Sequence, residues 1–202
     1  MIKNIIFDFG DIFINLDKQG TYKAMAALGV TEISEDMIQV YHQYEKGLIS
    51  TEEFIDFYEQ KVHLKREDLV NAWNAVLLDF PKRRLDFIIE LAASKKYRLF
   101  LLSNTNDLHI KWIQNSLGTA FYNEFKNAFE QFYLSHEIHF RKPDSEIYEF
   151  VLEQNKLNPK ETLFVDDLKE NTDSAQKLGV QVWNLDPKTE DVTALFTKNY
   201  SL

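Results

Sequence analysis

The chain has 202 residues, 45% of them hydrophobic, and a formal net charge of -9. That length suits one compact domain or a core with a small insertion. The acidity argues against nonspecific nucleic-acid binding and against an anionic membrane surface, both of which need clustered Lys and Arg. With no cysteine in the sequence, disulfides, thiolate catalysis and cysteine-ligated metals are excluded.

Residues 2–7 form the first apolar run and read as a buried strand. The run is too short for a signal peptide, and no segment has the roughly 18 uninterrupted apolar residues of a membrane helix. A cytoplasmic location is expected. A second strand is expected at 97–102, about 90 residues on, where a crossover helix needs only about a dozen. The intervening stretch is itself helical in pattern. Met37, Val40, Tyr41 and Tyr44 recur at helical spacing up to Gly47. Ser50 and Glu53 make a capping box ahead of Phe54, Phe57, Tyr58 and Val62. Leu69, Trp73, Val76 and Leu77 mark a third helix. A small all-helical insertion is therefore expected over residues 15–80.

Leu85, Ile88, Ile89 and Ala92 then share one helical face ahead of the second strand. Further strands are expected at 129–134, 162–165 and 180–183. Between them lie a helix capped by Asp144, carrying Ile147, Phe150 and Val151, and a helix over 171–178 stopped by Gly179. Alternating strands and helices imply an α/β fold, a doubly wound parallel sheet. The core would be residues 1–14 and 81–202.

Polar residues close three of these strands: Asp8, Ser103-Asn104 and Asp166-Asp167. The carboxyl ends of parallel strands share one edge, where ligands bind. A lone strand-end Asp is usually a cap or turn residue; three such positions from distant parts of the chain point to a site. Converging carboxylates repel one another unless a cation neutralises them. Oxygen ligands without His or Cys favour a hard ion, Mg²⁺ above others. The Ser103 hydroxyl and the Lys142 ammonium suit the remaining oxygens of a phosphate, and a carboxylate facing a neutralised phosphorus is a competent nucleophile.

These segments resemble the four motifs of the haloacid dehalogenase-like hydrolase superfamily. Phe7-Asp8-Phe9-Gly10-Asp11 resembles the first. Leu101-Leu102-Ser103-Asn104-Thr105 resembles the second. Arg141-Lys142-Pro143-Asp144 leading to Ile147-Tyr148 resembles the third, and Phe164-Val165-Asp166-Asp167 with Asn171 and Ala175 the fourth. The resemblance covers essentially the whole chain. It implies Asp8 as nucleophile and metal ligand, with Gly10 lending its backbone carbonyl to the metal. It implies Ser103 and Asn104 on the phosphoryl group, and Lys142 on both Asp8 and phosphate. Asp166 and Asp167 would hold Mg²⁺, Asp167 directly. The helical insertion would be a cap that closes over the site and selects the substrate. The implied activity is a Mg²⁺-dependent phosphatase acting on a small phosphate ester through an aspartyl-phosphate.

One position departs from the pattern. Most phosphatases of the superfamily carry a second Asp two residues after the nucleophile, where this chain has Gly10. Glycine transfers no proton. Members resembling bacterial sugar-phosphate phosphatases share Asp-x-Gly, and a sugar 1-phosphate, whose leaving group needs the proton less, becomes the attractive substrate. Asp11 is the minority replacement for the acid. Two rivals stand: a metal-independent halide-releasing hydrolase, opposed by the Asp166-Asp167 pair, and a catalytically weak binding or regulatory protein. His136, Glu137 and His139 lack a second pair of ligands for zinc. Tyr41, Tyr44, Glu45 and Trp73 can line a substrate pocket, with core packing the expectation for the aromatic ones.

Overall fold

A strand sends alternate side chains to opposite faces of its sheet, and the strands of this chain divide their apolar residues in that way. The computed structural model describes residues 1–197. Its strands β1 (Asn4–Phe7), β2 (Arg98–Ser103), β3 (Gln131–Leu134), β4 (Thr162–Asp166) and β5 (Gln181–Asn184) form one parallel sheet of order β3-β2-β1-β4-β5. Ile5, Phe7, Leu99, Leu101, Leu163 and Val165 pack on one face; Ile6, Phe100, Leu102 and Phe164 pack on the other. The doubly wound α/β expectation is met. Phe129, expected at the start of the third strand, instead precedes it and packs edge-on against Phe7, Phe13 and Phe125.

Five helices lie between β1 and β2. They are α1 (Gly20–Ala27), α2 (Glu35–Glu45), α3 (Thr51–Val62), α4 (Arg66–Asn74) and α5 (Lys82–Ser94). The capping box starts α3: Ser50 Oγ accepts the Glu53 amide at 3.2 Å and Glu53 Oε2 accepts the Ser50 amide at 2.8 Å. Gly47, at φ 61°, ends α2 with its N–H on the Tyr44 carbonyl. A Cβ at Gly47 would meet the His136 carbonyl oxygen at 2.0 Å, so glycine here also permits a close approach between α2 and the segment before Lys142.

The sequence pattern misses α1, which has no capping side chain and buries only Gly20 and Met25. It also runs α4 too far. The helix ends at Asn74, because the following residues turn back to pair with the chain leaving β1. Leu16 bridges Leu77, the Asp17 N–H donates to the Val76 carbonyl, the Leu78 N–H to the Asn15 carbonyl and the Asn15 N–H to the Asp79 carbonyl. The helices between these two crossing segments build their own apolar cluster. Tyr44 stacks on Phe54 at 4.2 Å, Phe54 meets Trp73 at 4.6 Å, and Met25, Met37, Tyr58 and Leu69 complete it.

Past β2 come α6 (Asp107–Leu117), α7 (Thr119–Asn127), the single turn α8 (Ser135–Ile138), α9 (Ser145–Gln154) and α10 (Lys169–Lys177). Helices α5, α6 and α7 cover the first sheet face, and α9 and α10 the second. Asp144 stands at the N-cap of α9 but makes no capping bond; its carboxylate takes the Lys46 ammonium at 2.9 Å instead. Parallel strands with helices on both faces bring Asp8, Ser103 and Asp166 to one edge.

Candidate active site

The turn after β1 carries Asp8 into the sheet edge, with its N–H bonded to the Val165 carbonyl of β4. Lys142 reaches the same point from the loop before α9. It is 1% exposed, and its ammonium lies 2.7 Å from Asp8 Oδ1 and 2.7 Å from Asp166 Oδ2. A charge so deeply buried persists only when paired. Burial alone would lower the pKa of Lys142, but Asp166 and Asp8 outweigh it and hold the group above its ordinary value. Asp166 is itself anchored: the Asn171 amide donates to both of its oxygens at 3.1 and 3.0 Å, and the Leu168 N–H donates to Oδ1 at 2.8 Å.

Ligand oxygens of Asp8, Asp166 and Asp167 lie within 4.8 Å of one another, and among the described residues this is the group whose carboxylates or imidazoles converge. His136 and His139 are not part of it; the His139 ring instead meets the Lys46 carbonyl at 2.9 Å. Burial pushes the Asp8 carboxyl up to about 7, with Lys142 opposing and Asp166 and Asp167 adding to the rise. Asp167 is raised by burial against the pull of Lys18. Carboxyls held up in this way mark a place short of positive charge. The Lys18 ammonium supplies some of it, paired with Asp167 and 3.3 Å from Asp11. A donor set of carboxylate oxygens with no nitrogen or sulfur fits a hard divalent cation such as Mg²⁺.

The structure brings Ser103 and Asn104 to the same edge and gives them different tasks. Ser103 is buried, and its hydroxyl has only a long 3.4 Å contact with the Asn104 carbonyl. Both ends of the Asn104 carboxamide are spent on the backbone of Lys142: Nδ2 donates to its carbonyl at 2.8 Å and Oδ1 accepts its N–H at 2.9 Å. The Asn104 side chain therefore positions Lys142.

At Gly10, a Cβ would stand 2.7 Å from Leu16 Cδ1 and 3.9 Å from Asp8 Oδ2. Asp11 adopts φ 55°, and its carboxylate accepts the Leu16 N–H at 3.0 Å and faces Lys18. The loop thus offers no unengaged acid beside Asp8.

Two partners escaped the sequence reading. Lys18 has no signal in the sequence, since it meets Asp167 across 149 positions. Arg141 donates to Glu45 Oε2 at 2.9 Å, and Tyr41 donates to Glu45 Oε1 at 2.6 Å, so α2 is tied to the residue before Lys142. Tyr44 is core, as expected, while Tyr41 and Trp73 also line a cavity.

Comparison with known proteins agrees with this geometry. A curated relative, the D-ribitol-5-phosphate phosphatase of Bacteroides thetaiotaomicron, is 30% identical over 191 residues, 91% of each chain. The crystal structure of an HAD family enzyme from the same organism, in a magnesium complex, matches with a TM-score of 0.86. It is 36% identical, over 98% of this chain and 99% of that one. The wild-type protein with magnesium and inorganic phosphate matches with a TM-score of 0.82 at 35% identity, over 97% and 100% of the two chains. The model of the haloacid dehalogenase-like hydrolases matches residues 5–185. With the sheet, the strand-end carboxylates and the buried lysine in place, the chain belongs to the haloacid dehalogenase-like hydrolase family.

Proposed function

We propose that this chain is a Mg²⁺-dependent phosphatase that hydrolyses a small phosphate ester through a phosphorylated Asp8. The observation that carries the reading is the buried Lys142 bridge between Asp8 and Asp166, with an Asp167 oxygen within 4.8 Å of both carboxylates. The ribitol-phosphate phosphatase relative, and the magnesium and phosphate held by the crystallised neighbour, support it.

Asp8, Asp166 and Asp167, with the Gly10 carbonyl, would hold the cation. When bound, Mg²⁺ offsets charge on the phosphate and on the carboxylates around it. Lys142 fixes Asp8 through Oδ1, which leaves Oδ2 to attack phosphorus in line. The Oδ2–phosphorus bond forms as the bond to the ester oxygen breaks, and the oxygen leaves with its electron pair. The Lys142 ammonium, Ser103 hydroxyl and Asn104 main chain stabilise the charge spread over the phosphoryl oxygens. Water then attacks phosphorus as the Oδ2–phosphorus bond breaks; the electron pair returns to the Asp8 carboxylate, phosphate departs, and the proton that water loses passes through solvent to the departed ester oxygen.

Residues 15–80 serve as a cap over this edge and 1–14 with 81–202 as the core. The acidic surface suits neither nucleic acid nor an anionic membrane. No helix among the described residues is long and apolar enough to cross a membrane, and a cytoplasmic location is part of the reading. Converging carboxylates disfavour the metal-independent halide-releasing alternative.

The test is phosphate release from a panel of esters with and without Mg²⁺, for the native chain and Asp8→Asn. Release that needs both is expected, with Asp8→Asn at least about a thousandfold slower. Undiminished release by Asp8→Asn would overturn the assignment.

A further inference from the structure

Beside the carboxylate edge lies a cavity of about 300 Å³, walled by α1, α2, α3, α4 and the start of α6. Lys18 joins the two places: its side chain lines the cavity and its ammonium pairs with Asp167.

The wall offers few free donors, because the hydrogens of its hydroxyls are already committed. Thr21 Oγ1 donates to the Trp73 carbonyl at 2.8 Å. The Tyr41 hydroxyl donates to Glu45 and the Tyr58 hydroxyl to the Met37 carbonyl at 2.9 Å. The His109 ring sits between Asn106 and the Trp73 carbonyl, and burial pushes its pKa down to about 4, so it is neutral at physiological pH. Two groups are left over: the hydroxyl of half-exposed Tyr22, and Nε1 of Trp73, a donor buried in the wall without a partner. Met25, Ile33, Ile38 and Val76 supply much of the remaining surface.

We propose that the phosphate ester of this site carries an apolar, ring-bearing leaving group that fills this cavity against Trp73, Ile33 and Ile38. The proposal rests on the phosphatase reading above. A polyol chain seated here would lose water from several hydroxyls whose oxygens meet few free donors, at a cost of roughly ten- to a hundredfold in binding per stranded hydroxyl. A ring loses nothing of that kind and gains by leaving water. An acceptor atom on the ring would give the Trp73 N–H the partner it lacks. The loop beside Asp8 points the same way: with Gly10 bare and the Asp11 carboxylate engaged, an ester oxygen that departs without a proton, as an aryl oxygen does, suits the site best.

The experiment compares kcat/KM for methyl, butyl, hexyl, benzyl and ribitol 5-phosphates, all primary alkyl esters except the methyl reference. The native chain is set against Ile33→Asp/Ile38→Asp, whose two positions are 44% and 45% exposed and so carry little risk to folding. For the native chain, kcat/KM should rise about threefold per methylene from methyl to hexyl, and benzyl phosphate should exceed ribitol 5-phosphate at least about tenfold. In the variant both trends should flatten. A flat alkyl series, or ribitol 5-phosphate equal to or better than benzyl phosphate, overturns the inference and leaves the phosphatase intact. Release from no ester by the folded protein overturns the phosphatase reading instead. Fluorescence titration with 1-naphthol then judges the cavity alone: binding lost in the variant supports it, and no binding to the native chain overturns it.

Discussion

Replacing Lys142 by methionine tests the electrostatic core of the site. Methionine keeps most of the unbranched stem and removes the charge. In the native protein the ammonium is 2.7 Å from both Asp8 and Asp166, in a place where the lysine is 1% exposed. Removing one partner of a buried ion pair costs about 3–5 kcal/mol, because the other charge is stranded. Asp166 would keep its bonds from Asn171 and Leu168, and Asp8 can take up a proton. The lower end of the range, about 3 kcal/mol, is therefore expected. Urea unfolding of both proteins in EDTA reads this difference directly. Phosphate release in saturating Mg²⁺ should fall at least about a hundredfold. The double variant Lys142→Met/Asp8→Asn should cost less than the sum of the single changes by about 1–3 kcal/mol, since the two residues share one interaction. A Lys142→Met protein within about 1 kcal/mol of native stability, or strict additivity in the cycle, would refute the assignment of Lys142 as the counter-charge.

Other outcomes follow from particular contacts. Gly10→Asp should lose less than about 1 kcal/mol of stability, because its Cβ would displace the Cδ1 end of the flexible, half-buried Leu16 side chain at 2.7 Å; a larger fall in the urea midpoint would show that Leu16 cannot give way. Glu45→Ala strands the largely buried Arg141 guanidinium and the Tyr41 hydroxyl. Calorimetry should show a fall in Tm of several degrees, at about 2–4 °C per kcal/mol for a chain of this size, with a smaller fall for Glu45→Gln. His109 titrates near 4 when folded, through burial opposed by its bond to the Trp73 carbonyl, against 6.5 as its ordinary value. The unfolded chain therefore binds more protons between these values, so this contribution to stability is present above about 6.5 and is lost as pH falls toward 4. Native minus His109→Gln stability should drop by about 1–2 kcal/mol across that window, after allowance for the partial exposure of the ring; a flat difference would show that the ring is not held neutral.

The local pattern of the sequence determined much of the scaffold. Strands announce themselves as short apolar runs, and an acidic or hydroxyl residue at the end of such a run is visible without any knowledge of its neighbours. Asp8, Ser103 and Asp166 were legible for that reason, as were the Ser50–Glu53 capping box and the Gly47 stop, whose partners lie within a few residues. Helix α1 was not, because it carries neither a cap nor a strong apolar face. The end of α4 was set by chain pairing with residues 15–17 rather than by its own periodicity. Tertiary structure alone decided what each polar group at the edge is free to do. Asn104 spends its carboxamide on Lys142, 38 positions away, and Lys18 finds Asp167 at 149. The committed hydroxyl donors of Thr21 and Tyr58 around the cavity depend on contacts 52 and 21 positions away. Sequence periodicity records which way a side chain faces; whether its hydrogen bonds are already taken depends on residues that only the folded chain brings within 3 Å.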